Sequence, residues 1–148
     1  MIIDSIKEIF IRDLHKVKEE ISSYSEEEEL WKIKLEIKNS AGNLCLHICG
    51  NLQHFIGAAL GNTGYIRNRD AEFSKKKIAQ KDLLKEIEIT IKTMESVLNN
   101  LNDENLFQKY PLNGFGDDIP THFVILQLLV HLNYHLGQIN YHRRMISN

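Results

Sequence analysis

A chain of 148 residues suits one domain with a proper core, and its 43% hydrophobic and 26% charged residues are the proportions of an ordinary soluble globular protein. The formal net charge of −2 gives no electrostatic case for nucleic acid or an anionic membrane as partner. No apolar run reaches the ~18 residues of a membrane span, and Met1-Ile2-Ile3-Asp4-Ser5 lacks the basic start and apolar core of a signal peptide.

The first predicted element runs to about residue 23. Its Ile2, Ile6, Ile9, Phe10, Leu14, Val17 and Ile21 recur at steps of three and four, the signature of an amphipathic helix. Ser25 to Glu29 reads as a capped acidic turn leading to Trp31. A second helix begins near Asn39 or Ser40, both good caps, and runs to about Leu60, where Gly61-Asn62-Thr63-Gly64 ends it. Tyr65 to Lys77 is charged and irregular; its Arg67 to Glu72 stretch could cover a pocket or make a dimer contact, but solvated salt bridges are the favoured reading. The third helix, roughly 80 to 101, carries the cleanest seam: Leu84, Ile87, Ile91, Met94, Leu98 and Leu101.

Residues 103 to 120 hold both prolines with Gly114 and Gly116 and read as a long loop, with a short extended piece around Phe107 to Leu112. The fourth helix, from Pro120 or Thr121 to Met145, is apolar on nearly all sides between Phe123 and Leu132, so it is expected to be the most buried. The whole reads as one all-α domain, residues 1–148, built as a four-helix bundle. Cys45 and Cys49 lie too close for a framework disulfide and read as buried core thiols, which makes a reducing cytoplasm the simplest compartment.

Histidines carry the chemistry. His131 and His135 sit four apart inside an apolar run, and His47 lies inside Leu44-Cys45-Leu46-His47-Ile48-Cys49-Gly50. A buried imidazole needs a partner, because an unpaired polar group costs a few kcal/mol. A backbone carbonyl or a tyrosine is one answer; a divalent metal would satisfy all three at once. At ~100° per residue His135 lies ~40° around from His131 and one turn along, so the pair can clamp one ion. Gln138 and His142 continue that stripe. On the second helix His54 lies on the face of His47 but ~10 Å further along, too far to share the ion, and Asn51 lies between them. His15 and His122 are read as outside the site.

The stretches Asn43 to Leu52, Arg67-Asn68-Arg69-Asp70-Ala71-Glu72-Phe73 and His131-Leu132-Asn133-Tyr134-His135-Leu136-Gly137-Gln138-Ile139 resemble the DinB-like superfamily, and more narrowly one of its small bacterial branches of uncharacterised proteins. The resemblance covers nearly the whole chain. It implies a four-helix bundle of DinB-like type whose third and fourth helices are not simple up-down neighbours. It also implies a divalent metal held by His47, His131 and His135; His54 is the other possible ligand on the second helix, and Gly50-Asn51-Leu52 favours His47. A homodimer is suggested too, with an apolar edge of the first helix around Ile3, Phe10 and Ile11 as its contact.

Three imidazoles leave an open coordination position. Superfamily relatives are similar to thiol-dependent S-transferases, so the expected activity joins a low-molecular-weight thiol such as bacillithiol, mycothiol or glutathione to a small electrophile. A metal-dependent hydrolase and a non-catalytic metal-binding stress protein are the alternatives. Zinc or nickel is expected, with iron or manganese also accepted by three imidazoles. Asn51, His54 and Gln138 are the expected pocket residues. Tyr134, His142 and Arg144 are further candidates for a base by position only.

Overall fold

The computed structural model describes residues 1–146, and among them the chain is all-helical. The elements are α1 (Ile2–Ser22), a 3-10 turn (Glu27–Trp31), α2 (Ala41–Leu52), a π-helical turn (Gln53–Ala58), α3 (Ala59–Gly61), α4 (Arg69–Ser74), α5 (Gln80–Asn99), α6 (Asp103–Phe107) and α7 (Thr121–Ile146). From α2 the backbone stays helical through the π turn to the end of α3, so four long helical runs exist, as the periodicities require. Asn62, at φ +50°, ends the second run in a left-handed conformation that asparagine tolerates. α6 is a short helix within the expected loop, opened by a reciprocal cap between Asn102 and Asn105.

α1 packs on α5 and α7, and α2 packs on the same two, while α5 and α7 make no substantial direct contact. The core between them joins Ile3, Phe10, Leu14 and Val17 of α1 to Ile48 and Leu52 of α2, Ile87 and Met94 of α5, and Ile125 and Leu132 of α7. Burying one such side chain contributes about 1.5–3 kcal/mol, which is why the three-four spacing decides the helices. The seam of α5 begins at Leu83, with Leu84 only half-buried.

Two expectations are corrected. α2, not α7, is the most buried helix, with every residue from Ala41 to Leu52 buried except Leu46. Its small residues let neighbours close in from all sides: the Trp31 ring lies on Gly42, where a Cβ would meet it. α7 instead leaves one apolar face uncovered, with Val130, Tyr134 and Tyr141 exposed. The edge expected on α1 does not exist either, because Ile3 and Phe10 lie in the core and only Ile11 is partly exposed. Cys45 and Cys49 are free, buried thiols, as expected.

Polar contacts set the rotation of α7. The Asn133 amide donates to the buried Asp13 carboxylate of α1 at 2.8 Å. Two turns further along, Asn140 and Arg143 both donate to Glu20 at 2.6 Å. With that side of α7 fixed on α1, the side bearing His131 and His135 meets α2.

Candidate metal centre

α2 starts where Ser40 accepts a hydrogen bond from the Asn43 backbone N–H, a cap that fixes the register of the helix. That register places His47 inward and buried at mid-helix. His131 and His135, one turn apart on α7, are half-buried opposite it. The Nε2 atoms converge: His47 to His131 is 3.0 Å and His135 to His131 is 3.0 Å, with the whole set within 4.8 Å. An ion ~2.1 Å from each nitrogen would hold them ~3.4 Å apart, close to the two shorter separations.

The protons decide whether a cation fits. Glu72 Oε1 accepts from His47 Nδ1 at 3.0 Å, and Gln138 Oε1 accepts from His135 Nδ1 at 2.7 Å. Both imidazoles, when neutral, therefore present bare Nε2 lone pairs to the same point. His131 can bring at most one proton to share between them. Burial, reinforced by the neighbouring His135 and His47, pushes His131 down to about 4, so the cluster resists becoming cationic. Burial lowers His135 as well. Converging lone pairs with too few protons form a donor set suited to a divalent ion. Among the described residues, no carboxylate or thiolate joins the group.

Behind His47 stands an ion pair that corrects the sequence reading. Arg67 and Glu72 are not solvated: Glu72 is 6% exposed, and Arg67 grips it through Nε and Nη2, each at 2.8 Å. Burial alone would raise Glu72, but bonds from Arg67 and His47 outweigh it and hold the carboxyl below its ordinary value. Gly50 makes the room, because a Cβ there would collide with Glu72 Oε2. Asn43 donates to the carbonyls of Glu72 and Lys75, at 2.9 and 2.8 Å, and ties α4 to α2. The result is a carboxylate–histidine pair of the kind that orients metal ligands. The available signal was Gly50 one turn beyond His47, with Arg67 and Glu72 close together in the chain.

The other candidates separate. Asn51 is buried and its Oδ1 has no hydrogen-bond partner, a polar atom awaiting a donor one turn beyond His47. His54 is half-buried in the π turn against Phe55, and burial plus the nearby Arg67 lower its pKa. Gln138 supports His135 rather than facing the site alone. The Tyr134 ring lies 5.3 Å from that of His135.

His142 leaves the site: Tyr24 donates to its Nδ1 at 2.6 Å, and its Nε2 donates to the Lys32 carbonyl at 2.8 Å. Arg144 lies over Tyr141, outside the cluster. His15 is exposed, and His122 donates to the Leu106 carbonyl. A cleft of about 610 Å³ touches Gly50 and Glu72 but none of the three histidines. A cleft of about 360 Å³ reaches Gln138 between α7 and residues 36–39.

Over residues 2–148 the chain matches the model of a family of proteins of unknown function, DUF1572. It belongs to that family. Neither the curated proteins nor the solved structures yield a match.

Proposed function

We propose that this member of a family of unknown function is a four-helix bundle of DinB-like type that binds one divalent ion and transfers a small thiol to a small electrophile. The packing of α1 and α2 against both α5 and α7, with α5 and α7 apart, supports the bundle topology. The observation that carries the function is the convergence of three imidazole Nε2 atoms with no fourth protein ligand among the described residues. Zinc or nickel suits the site best, and iron or manganese would also be accepted. When bound, the ion would supply a Lewis-acidic centre that favours a thiolate over a thiol at neutral pH.

The chain's own residues do the rest. His47, His131 and His135 would hold the ion. Glu72 and Gln138 keep His47 and His135 in the tautomers that expose Nε2. Arg67 fixes Glu72 and rests against the Phe55 ring at 5.6 Å. Asn51, with its free side-chain carbonyl oxygen, would accept a hydrogen bond from a bound ligand. His54 and Tyr134 would lie at the margins of the histidine cluster. The partners in this reading are a small thiol, a small electrophile and a second copy of the chain, in a cytoplasmic setting. No helix of the described residues is long and apolar enough to cross a membrane.

Metal analysis of freshly purified protein, followed by a thiol-conjugation screen, tests the proposal. About one ion per chain is expected, lost in His47→Ala and kept in His54→Ala. Added thiol should shift the visible spectrum of the cobalt-substituted protein. If thiols leave that spectrum unchanged while esters or amides are hydrolysed, the hydrolase reading replaces this one. If neither occurs, binding is non-catalytic.

A further inference from the structure

Two arginines stand close together in the chain beside the histidine cluster, and they are held differently. Arg67 is engaged by Glu72, whereas Arg69, at the start of α4, has no carboxylate within ion-pair distance among the described residues. Its guanidinium lies over the Phe73 ring instead, 5.1 Å from the centroid and one turn along the same helix. Phe73 in turn packs on His47, with ring centroids 4.8 Å apart. Those two separations put the guanidinium carbon no more than about 10 Å from the centre of the His47 ring. An aromatic face steadies a guanidinium without neutralising it.

The charge of the centre calls for an anion. Arg67 and Glu72 cancel each other, and imidazoles bind a cation in their neutral form. A divalent ion held by His47, His131 and His135 would therefore keep both positive charges, and one thiolate would remove one of them. Among the described residues no carboxylate joins the three nitrogens to remove the other. A charge left uncompensated in a partly enclosed site is costly, so a second anion is favoured there. Asn51 is an independent pointer to a ligand, because its side-chain oxygen, one turn beyond His47, is buried with no hydrogen-bond partner among the described residues.

We infer that Arg69 is an anion subsite of this centre, receiving a carboxylate on a molecule whose reacting atom lies at the histidine cluster. The subsite rests on the transferase reading and adds to it that one of the two substrates is an anion. A ligand lying along Phe73 would meet the cluster at one end and the guanidinium at the other. Two parallel N–H groups of an arginine match a carboxylate in a way that a lysine does not. The carboxylate belongs either to the thiol or to the electrophile.

Probe pairs that differ in one charge test it. N-acetylcysteine and N-acetylcysteamine both carry a thiol and an amide, and only the first has a carboxylate. Iodoacetate and iodoacetamide differ in the same way as electrophiles. If the thiol is the anion, spectral titration of the cobalt-substituted protein should show N-acetylcysteine binding about 3–10-fold more tightly, the range of a partly exposed ion pair. If the electrophile is the anion, Arg69→Gln should raise the KM of iodoacetate by a similar factor relative to that of iodoacetamide, with N-acetylcysteamine as the thiol. Arg69→Gln should erase whichever preference is seen, Arg69→Lys should keep part of it, and about 1 M salt should shrink it. Thiols that shift the spectrum with no preference in either pair, or a preference that survives Arg69→Gln, would overturn the subsite and leave the transferase reading standing. A spectrum that no thiol shifts would overturn that reading and the subsite with it.

Discussion

Glu72 has the strongest single-residue role after the three histidines. It is buried, ionised and shared between Arg67 and His47, so its charge reaches the candidate ligand through one hydrogen bond. Glu72→Gln keeps the shape and one acceptor but removes the charge. It should weaken zinc or nickel binding by roughly 10–100-fold in a chelator competition, the usual effect of losing a supporting group. Unchanged affinity would mean that Glu72 serves the packing of α4 alone.

His142 makes a pH prediction. Burial lowers its folded-state pKa below the ordinary histidine value, and the bond to Lys32 only partly offsets this. The unfolded chain therefore takes up the proton first as pH falls. Stability is full above the ordinary histidine range and declines on acidification through it. Tyr24 faces the ring directly, and Arg143 and Glu20 stand nearby with opposite charges. In metal-free protein, urea unfolding at pH 7.5 and 5.5 should show a smaller loss in His142→Gln than in the unaltered chain, since His131 and His135 contribute the same sign in both.

Among the elements, the π turn Gln53–Ala58 is the irregular one. The Tyr110 hydroxyl, brought from the long loop, donates to the Phe55 carbonyl within it at 2.6 Å. Phe115 closes the same corner, its ring 5.1 Å from that of Phe55. Tyr110→Phe would remove that bond and should cost about 0.5–1.5 kcal/mol in urea denaturation. A neutral result would mean that water replaces the hydroxyl. α1, α5 and the start of α2 were legible in the sequence because periodicity and Ser40 are local signals. The histidine pair on α7 was legible for the same reason.

The π turn was not legible, since an extra residue per turn leaves no compositional mark. Nor was the exposure of α7: an all-round apolar helix shows that burial is available, not which face finds a partner. Arg67 and Glu72 looked like surface charges because their burial depends on a slot at Gly50, in another helix. Distance along the chain hid that arrangement; chemistry did not.

For the whole molecule, the metal reading has a thermal consequence. An ion that binds only the folded chain stabilises it by about 2.7 kcal/mol when present at 100 times its dissociation constant. For a chain of this length that corresponds to a rise in Tm of roughly 5–10 °C. Differential scanning calorimetry with zinc or nickel should show it, and His131→Ala should abolish it. The ion would join α2 to α7, the two long runs that carry the ligands, so the gain should appear as one sharpened transition. No rise with any divalent ion would remove the metal from the account.

The two free thiols of the core bear on chemical durability. Cys45 is held well above its ordinary pKa, first by its bond to Cys49 and then by burial; Cys45 is fully buried and Cys49 is 2% exposed. A thiol kept protonated and enclosed is a poor nucleophile. A protein that brings electrophiles together with small thiols would thus be largely spared inactivation by its own reagents, because both of its sulfurs are packed into the core. Iodoacetamide should leave the native chain unalkylated for hours and modify both cysteines once urea opens the fold. Rapid alkylation of the native protein would show a core that opens far more often than its packing suggests.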